Sequence, residues 1–514
     1  MLKFKKLTKI NGFDINDPYN SRQNSYAWSM TELGDYIYVG TARNMFSTAS
    51  ISFGFSGSSN STTLPPSLTT GNDNCAEIWR YKKDNSRSWQ KVFKSKPNEK
   101  IYGFRAMITH KSCNTPAIYA TSSGENINIY KSTDGINWTK IDTSNIIGTS
   151  SRSLASFNGK LYMAALESGI GGNRFLLYES SDPEHKPFKL VIDSHSADFI
   201  PNLNPMGGID AIRVFNNKLY VFISTSEGVE VWRSNTSNPT KNQWTLIGDK
   251  GFGDNLNFST LSTGVFNGHL YAALTKKLPL SLFMPLGFDL IRIDEHDNWD
   301  LVVGGKPIVP SCPSTGKRYA QSLSGYSSGF NNLFNVYGWQ IQEYKGSLII
   351  TTYDGSTNIR TILQGYLYNK EDYIKQIGYK NYSTLVSCYK KILNLMCKYN
   401  YPEGFDMYIS KDGCKFTPVI LDGLYNPNNY GGRTLYKTCD NKLYLGTANP
   451  FDGLEVWEVF SKQRSPRSWT CFSDKEIKSY FCNLKSLNNE ILNLYPSILK
   501  VLYTSLDTEF NNSI

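Results

Sequence analysis

The chain has 514 residues, with 54 Lys and Arg against 44 Asp and Glu for a net charge of +10, and 14% of its residues are aromatic. That aromatic content excludes a disordered chain, and no run of ~18 apolar residues marks a membrane-spanning helix. The mild positive excess favours acidic partners by long-range steering, while no Lys/Arg-rich run marks a nucleic-acid surface.

The first element in chain order is a strand over residues 4–10. FKKLTKINGFDINDPYN from Phe4 parallels WTLIGDKGFGDNLNF from Trp244, which assigns the strand to the outer edge of the last repeat. WTCFS at Trp469 competes for that place. This N-terminal segment is basic but lacks an apolar stretch and a small-residue cleavage site, so it does not read as a secretory signal.

From Leu33 a phrase begins that recurs along the chain. It reads LGDYIYVGT, then TPAIYATSS from Thr115, FNGKLYMAA from Phe157 and FNNKLYVFI from Phe215. It continues as FNGHLYAAL from Phe266, YKGSLIITT from Tyr344 and CDNKLYLGT from Cys439. Each copy is followed by a second phrase such as AEIWRY, INIYKS, VEVWRS or LEVWEV, and mostly by a third such as WQKVF, WTKID or WTLIG. Alternating apolar and polar residues mark half-buried strands. Asn158-Gly159 and Asn267-Gly268 mark tight hairpins, because both residue types tolerate positive φ. With one strand leading into each first phrase, the chain predicts an all-β fold: a seven-bladed β-propeller of four-stranded antiparallel blades over residues 1–473. Residues 46–74, 276–287 and 304–330 read as loops built on one face of the ring. Residues 356–403 and the tail 474–514 carry apolar residues at helical spacing and read as a helical insertion and a helical extension.

The nine Cys are odd in number and lack a C-x-x-C pair, so neither a disulfide framework nor a zinc site is expected. Free thiols and the missing signal predict a cytoplasmic location. The five His are scattered, and Asp294-Glu-His-Asp297-Asn298 lacks a full calcium-loop pattern, so no metal or other cofactor is predicted.

Counting five residues back from each hairpin aligns the start of the innermost strands. The position holds Trp28, Arg152, Asp210, Leu261 and Trp339, with Arg433 one residue off register and Arg105 placed by a longer hairpin. The ends of the second strands add Arg43, Glu167 and Tyr353. Arginines offer forked donors to carboxylate, sulfate or phosphate, and indole faces suit sugar rings or cations. Arg152 with Asp210 also fits a structural ion pair on adjacent blades.

The phrases NGFDINDPYN, NSYAWSM, YVGTARN and AEIWRY resemble a group of bacterial seven-bladed propeller proteins with no agreed activity. Ser132-Thr-Asp134-Gly135 and Ser410-Lys-Asp412-Gly413 resemble the Asp-box turn of sialidase-like propellers, a fold-stabilising turn away from the catalytic face. These resemblances imply the fold and leave the activity open.

The expected function is binding of a small anionic ligand or acidic glycan in a basic, aromatic funnel on the loop-bearing face, through Trp28, Arg43, Arg105, Arg152, Trp339 and Arg433. An alternative is a hydrolase or lyase in the same funnel, with Asp210 or Glu167 as general acid/base and Tyr353 as nucleophile or proton donor. A third is a protein-interaction scaffold that docks a partner through the apolar loop 278–286 or the added helices.

Overall fold

Alternating aromatic and β-branched residues pack one side of a pleated sheet and leave the intervening residues to the other. In this chain each recurring phrase folds as a strand. The computed structural model describes residues 2–45, 73–112, 115–166, 174–193, 205–278, 280–461 and 472–505.

The described strands pair antiparallel in groups of four. The first group is β2 (Asn24–Leu33), β3 (Tyr36–Arg43), β4 (Glu77–Lys82) and β5 (Gln90–Lys94). The second is β6 (Ile101–Ser112), β7 (Thr115–Gly124), β8 (Ile129–Ser132) and β9 (Thr139–Ile141). The third is β10 (Ser150–Phe157), β11 (Lys160–Leu166), β12 (Leu176–Ser180) and β13 (Lys189–Asp193). The fourth is β14 (Pro205–Phe215), β15 (Lys218–Thr225), β16 (Gly228–Ser234) and β17 (Trp244–Gly248). The fifth is β18 (Asn257–Phe266), β19 (His269–Lys276), β20 (Asp289–Ile293) and β21 (Trp299–Val303). The sixth is β22 (Asn335–Glu343), β23 (Leu348–Asp354), β24 (Met407–Ser410) and β25 (Phe416–Ile420).

The seventh group takes β26 (Gly431–Lys437), β27 (Leu443–Ala448) and β28 (Val456–Ser461) from one end of the chain and β1 (Leu2–Lys6) from the other. Leu2 lies opposite Ser461 and Lys6 opposite Trp457. The strand sits earlier than residues 4–10, because buried Leu2 and partly buried Phe4 pack with Val459. The competing segment at Trp469 falls on residues 469–471, outside the described residues.

The first strand of each group packs against the first strand of the next, and β26 packs against β2, so these contacts run round without a break. Apolar clusters fill the space between neighbouring groups, as where Leu177 and Ile192 meet Ile212 and Val221. Each such buried side chain contributes roughly 1.5–3 kcal/mol.

A polar latch recurs where the inner strands begin, here called the upper end. Asn24, Asn257, Asn335 and Asn429 each donate a side-chain N–H to an acid at or just before the third strand: Glu77 (3.1 Å), Asp289 (3.0 Å), Asp406 (2.7 Å) and Glu455 (2.8 Å). The same amides also donate to the backbone carbonyls of Gly12, Gly251, Gly329 and Gly423. A buried carboxylate needs such partners or a cation. Lys276 and Arg318 reach Asp289, both at 2.9 Å, and Lys6 reaches Glu455 at 2.7 Å.

The turns at Ser132 and Ser410 join third to fourth strands. Asp134 accepts N–H donors from Ile136 and Asn137 at 2.8 Å, and Asp412 accepts those of Cys414 and Lys415 at 2.9 and 2.7 Å. These backbone donors hold the Asp134 carboxyl well below the usual carboxylate range.

The helices α1 (Pro18–Gln23), α2 (Leu280–Phe283), α3 (Ser356–Tyr368), α4 (Lys370–Ile377), α5 (Tyr379–Lys398), α6 (Asp474–Leu492) and α7 (Tyr495–Ser505) complete the described elements. The side chains Tyr382, Leu385, Tyr389, Ile392 and Met396 bury one face of α5. Ser473 caps α6: its hydroxyl accepts the Glu476 N–H, while Glu476 accepts the Ser473 N–H at 2.7 Å. Helices α3 to α7 share one apolar cluster with Leu280, Met284 and Leu286. The apolar loop 278–286, whose sequence fits a plug on the channel mouth or, alternatively, a partner-docking surface, turns these side chains toward the chain's own helices. Among the described residues no helix is long and apolar enough to cross a membrane.

Candidate functional site

Every inner strand carries an irregularity at the same place. Pairing with the second strand skips Trp28 in β2, Arg105 in β6, Asp210 in β14, Leu261 in β18, Trp339 in β22 and Arg433 in β26, and skips Ser151 and Arg152 together in β10. A bulge leaves its extra residue outside the ladder and re-aims the side chain. Trp28, Arg105, Arg152, Asp210, Leu261 and Arg433 line one cavity of about 210 Å³, and β22 contributes Gln340. All seven inner strands thus reach a common space. The one-residue offset of Arg433 in the sequence comes from its longer turn, where Lys437 faces Leu443 and five residues intervene.

Around this cavity three guanidinium groups face one carboxylate. Arg152 approaches Asp210 at 3.4 Å. The other Asp210 oxygen accepts hydroxyl donors from Ser224 and, at 2.7 Å, from Ser259. Arg105 donates to Ser150 Oγ at 3.0 Å. Arg433, only 9% exposed, makes no hydrogen bond or ion pair with any described residue. Burial and the positive charge of Arg152 pull the Arg105 guanidinium well below its ordinary value. The same two causes pull Arg433 down to about 9. Burial also lowers Arg152, against the attraction of Asp210. For Arg105 and Arg433 the shifts express burial together with neighbouring positive charge, and for Arg152 burial alone.

Two indoles back two of the arginines. Arg105 lies 5.4 Å from the Trp28 ring, and Arg433 lies 5.3 Å from the Trp339 ring. Each ring is seated against a glycine of the next inner strand, β6 for Trp28 and β26 for Trp339. A Cβ on Gly103 would come within 2.4 Å of Trp28, and one on Gly431 within 2.0 Å of Trp339. The sequence carries this as Gly-Phe-Arg at 103–105 and Gly-Gly-Arg at 431–433. The pattern, a glycine two residues before the arginine and a Trp one repeat earlier, was legible but is not captured by aligning single positions. Gln340, Ser29, Ser153 and Thr434 also line the cavity and were not singled out from the sequence.

The remaining expected site residues lie elsewhere. Arg43 is fully buried at the upper end, bonded to Asn24 (2.9 Å), Asn20 (2.8 Å) and Gln23 (2.7 Å) and 3.7 Å from Glu77. Tyr353 is stacked on Tyr337 with ring centres 4.6 Å apart, and its hydroxyl donates to Asn358 at 2.7 Å. Burial pushes the Tyr353 hydroxyl well above its ordinary pKa. Glu167 lies outside the described residues.

The funnel was expected to open at the upper face. Among the described residues Tyr26, Tyr337, Trp339, Tyr353 and Tyr430 are instead buried together at that end, with Leu278 and Leu282 packed against them. Exposure rises in the other direction. Val336 to Trp339 are buried while Gln340 and Gln342 are partly exposed, and Ser150 and Ser151 are buried while Arg152, Ser153 and Leu154 are partly exposed. Aromatic side chains occupying the strand starts account for the reversal.

No protein-family model matches the sequence, and comparison with curated proteins finds no significant match. Solved structures with a similar fold include YCF48 bound to D1 peptide, at 10% identity over 90% of this chain and 97% of that one, with a TM-score of 0.44. Another is the WD40 β-propeller domain of Doa1, at 9% identity over 90% of this chain and 98% of that one, with a TM-score of 0.41. A third is a subtype N10 neuraminidase-like protein of A/little yellow-shouldered bat/Guatemala, at 12% identity over 69% and 94%, with a TM-score of 0.35.

Proposed function

We propose that the seven four-stranded groups are the blades of a β-propeller and that the protein binds a small anion in the cavity on its axis. The observation that carries this reading is Arg433, 9% exposed, without a hydrogen-bond or ion-pair partner among the described residues and with its Nε buried, beside two further guanidiniums of which only that of Arg152 meets a carboxylate. Buried charge is retained at a cost unless a counter-charge arrives, and a bound anion supplies it through charge-assisted hydrogen bonds. A cavity of about 210 Å³ falls below the ~300 Å³ at which pockets for larger organic ligands begin. This favours a small anion over a glycan chain. Binding is favoured over catalysis as well, because Asp210 is held by an arginine and two hydroxyls and Tyr353 is engaged with Asn358.

The test uses the indoles behind the arginines. Titrating the full chain with sodium sulfate at constant ionic strength should give a saturable change in tryptophan fluorescence. Arg433→Leu and Arg105→Gln should each weaken it at least tenfold while the circular dichroism spectrum stays unchanged. Absence of a saturable response to every small anion tried, sulfate, phosphate, acetate and nitrate included, overturns the reading.

A further inference from the structure

Resting on that reading, the cavity's charge and size also specify what kind of anion it takes. In ring order from β22 the bulge residues are Trp339, Arg433, Trp28, Arg105, Arg152, Asp210 and Leu261. The cations occupy one arc, and Asp210, the only carboxylate among the described lining residues, lies at its end. Arg433 and Arg105 sit on the two strands that flank β2, so both border the Trp28 position. Their guanidiniums, with that of Arg152, lie close enough for mutual repulsion to depress Arg105.

Asp210 can offset one of these three charges and no more. It cannot turn away from its place, because Ser224 and Ser259 hold the oxygen that does not face Arg152. Two positive charges are left over in a space of about 210 Å³. Two separate monoanions would repel one another at such short range. One molecule carrying both charges would not.

We infer that the natural occupant is a single small dianion, a doubly ionised tetrahedral oxyanion or a short dicarboxylate, seated between Arg433 and Arg105 with Arg152 completing the cationic arc. Arg433 has no hydrogen bond or ion pair among the described residues to give up when the ligand arrives, and its contact with the Trp339 face can persist. Arg105 gives up at most one neutral hydroxyl, and Arg152 only a long contact to Asp210. The arginines are therefore free to turn forked donors on both charged ends of the ligand.

The experiment compares dianions with monoanions of similar size by tryptophan fluorescence and calorimetry, at matched ionic strength and slightly alkaline pH. Sulfate, inorganic phosphate and succinate should bind at least tenfold more tightly than acetate, nitrate and methyl sulfate. Within the dianions, a preference for sulfate and phosphate identifies an oxyanion occupant, and a preference for succinate identifies a dicarboxylate. Arg433→Leu, which leaves one excess charge, should reduce the dianion preference to less than threefold. Arg105→Gln should do the same and serves if the first variant fails to fold. Wild-type protein that binds acetate or nitrate as tightly as sulfate, phosphate and succinate overturns the dianion inference while leaving anion binding intact. Failure of all six anions to bind overturns both.

Discussion

Arg152 and Arg433 face the same cavity under opposite conditions: one meets Asp210 at 3.4 Å, and the other meets only the face of Trp339. Their substitutions should therefore differ in sign. Asp210→Asn removes the only carboxylate among the described lining residues and leaves three cations together, which should cost about 3 kcal/mol or more. Arg433→Leu removes an unbalanced charge and should raise stability by about 1 kcal/mol in anion-poor buffer, an advantage that shrinks as sulfate is added. Urea unfolding with and without sulfate measures both effects, and a destabilised Arg433→Leu in the absence of anion would contradict the charge balance described for the cavity. Counting back from the hairpins lands directly on Arg152, Trp28, Asp210 and Leu261, where the bulge keeps its distance from the turn, and reaches Arg433 and Arg105 only by allowing a one-residue offset and a longer hairpin. The same count did not reveal that Trp339 supports Arg433 from behind, or that Arg43 and Tyr353 serve the upper end. Those depend on which residues of neighbouring sheets meet, and nothing in one strand's own pattern encodes that.

At the level of elements, the acid at the third strand is neutralised in some sheets and not in others. Glu77, Asp289 and Glu455 have lysine or arginine neighbours. Asp406 and Glu230 have no ion-pair partner among the described residues, and burial pushes each carboxyl up to about 7. Asp354, where β23 ends, is likewise raised to about 7, by burial foremost and by the neighbouring charge of Asp406 among the causes. These folded-state values lie above those of an unfolded chain, so the folded protein binds the protons more tightly. The resulting stabilisation is full below about pH 4 and is lost as the pH rises toward 7. Unfolding free energy should fall between pH 5 and 7 by on the order of 1 kcal/mol per pH unit for each such carboxyl. Asp406→Asn should flatten that slope whatever it does to absolute stability. His110, lowered by burial, contributes the opposite slope below about pH 6.5, so the comparison is made between variant and wild type at each pH. An equal slope in the variant would show that Asp406 is not protonated in the folded state. The strands themselves were plain in the sequence, since a seven-fold repeated phrase averages out local ambiguity. The Asn that opens an inner strand was passed over, because an isolated polar residue before a strand looks like any turn residue until its acid is seen across the sheet.

On the scale of the whole molecule, the pairing of β1 with β28 joins the two ends of the described sheet array, and among the described residues β1 covers the outer edge of β28. Deleting residues 1–6 should leave β28 with unpaired backbone groups, expose the neighbours of Leu2, and lower stability by more than ~3 kcal/mol. Light scattering should report chain association through the bared edge, and a truncated chain as stable and monodisperse as the full one would contradict this role. The helical additions pack together over the apolar loop at the upper end, while the partly exposed cavity side chains lie toward the hairpin turns. On the proposed reading, one end of the array is covered and the other admits the anion.

The aligned bulges have a bearing on how such a protein can change over generations. A residue excluded from the ladder contributes little to strand register, so its identity can be exchanged without disturbing the pairs on either side. Seven such sockets around one chamber form a palette in which tryptophan, arginine, aspartate and leucine are already interchanged. Relatives built on the same frame could acquire a new chemical preference by rewriting a handful of codons while inheriting the scaffold intact.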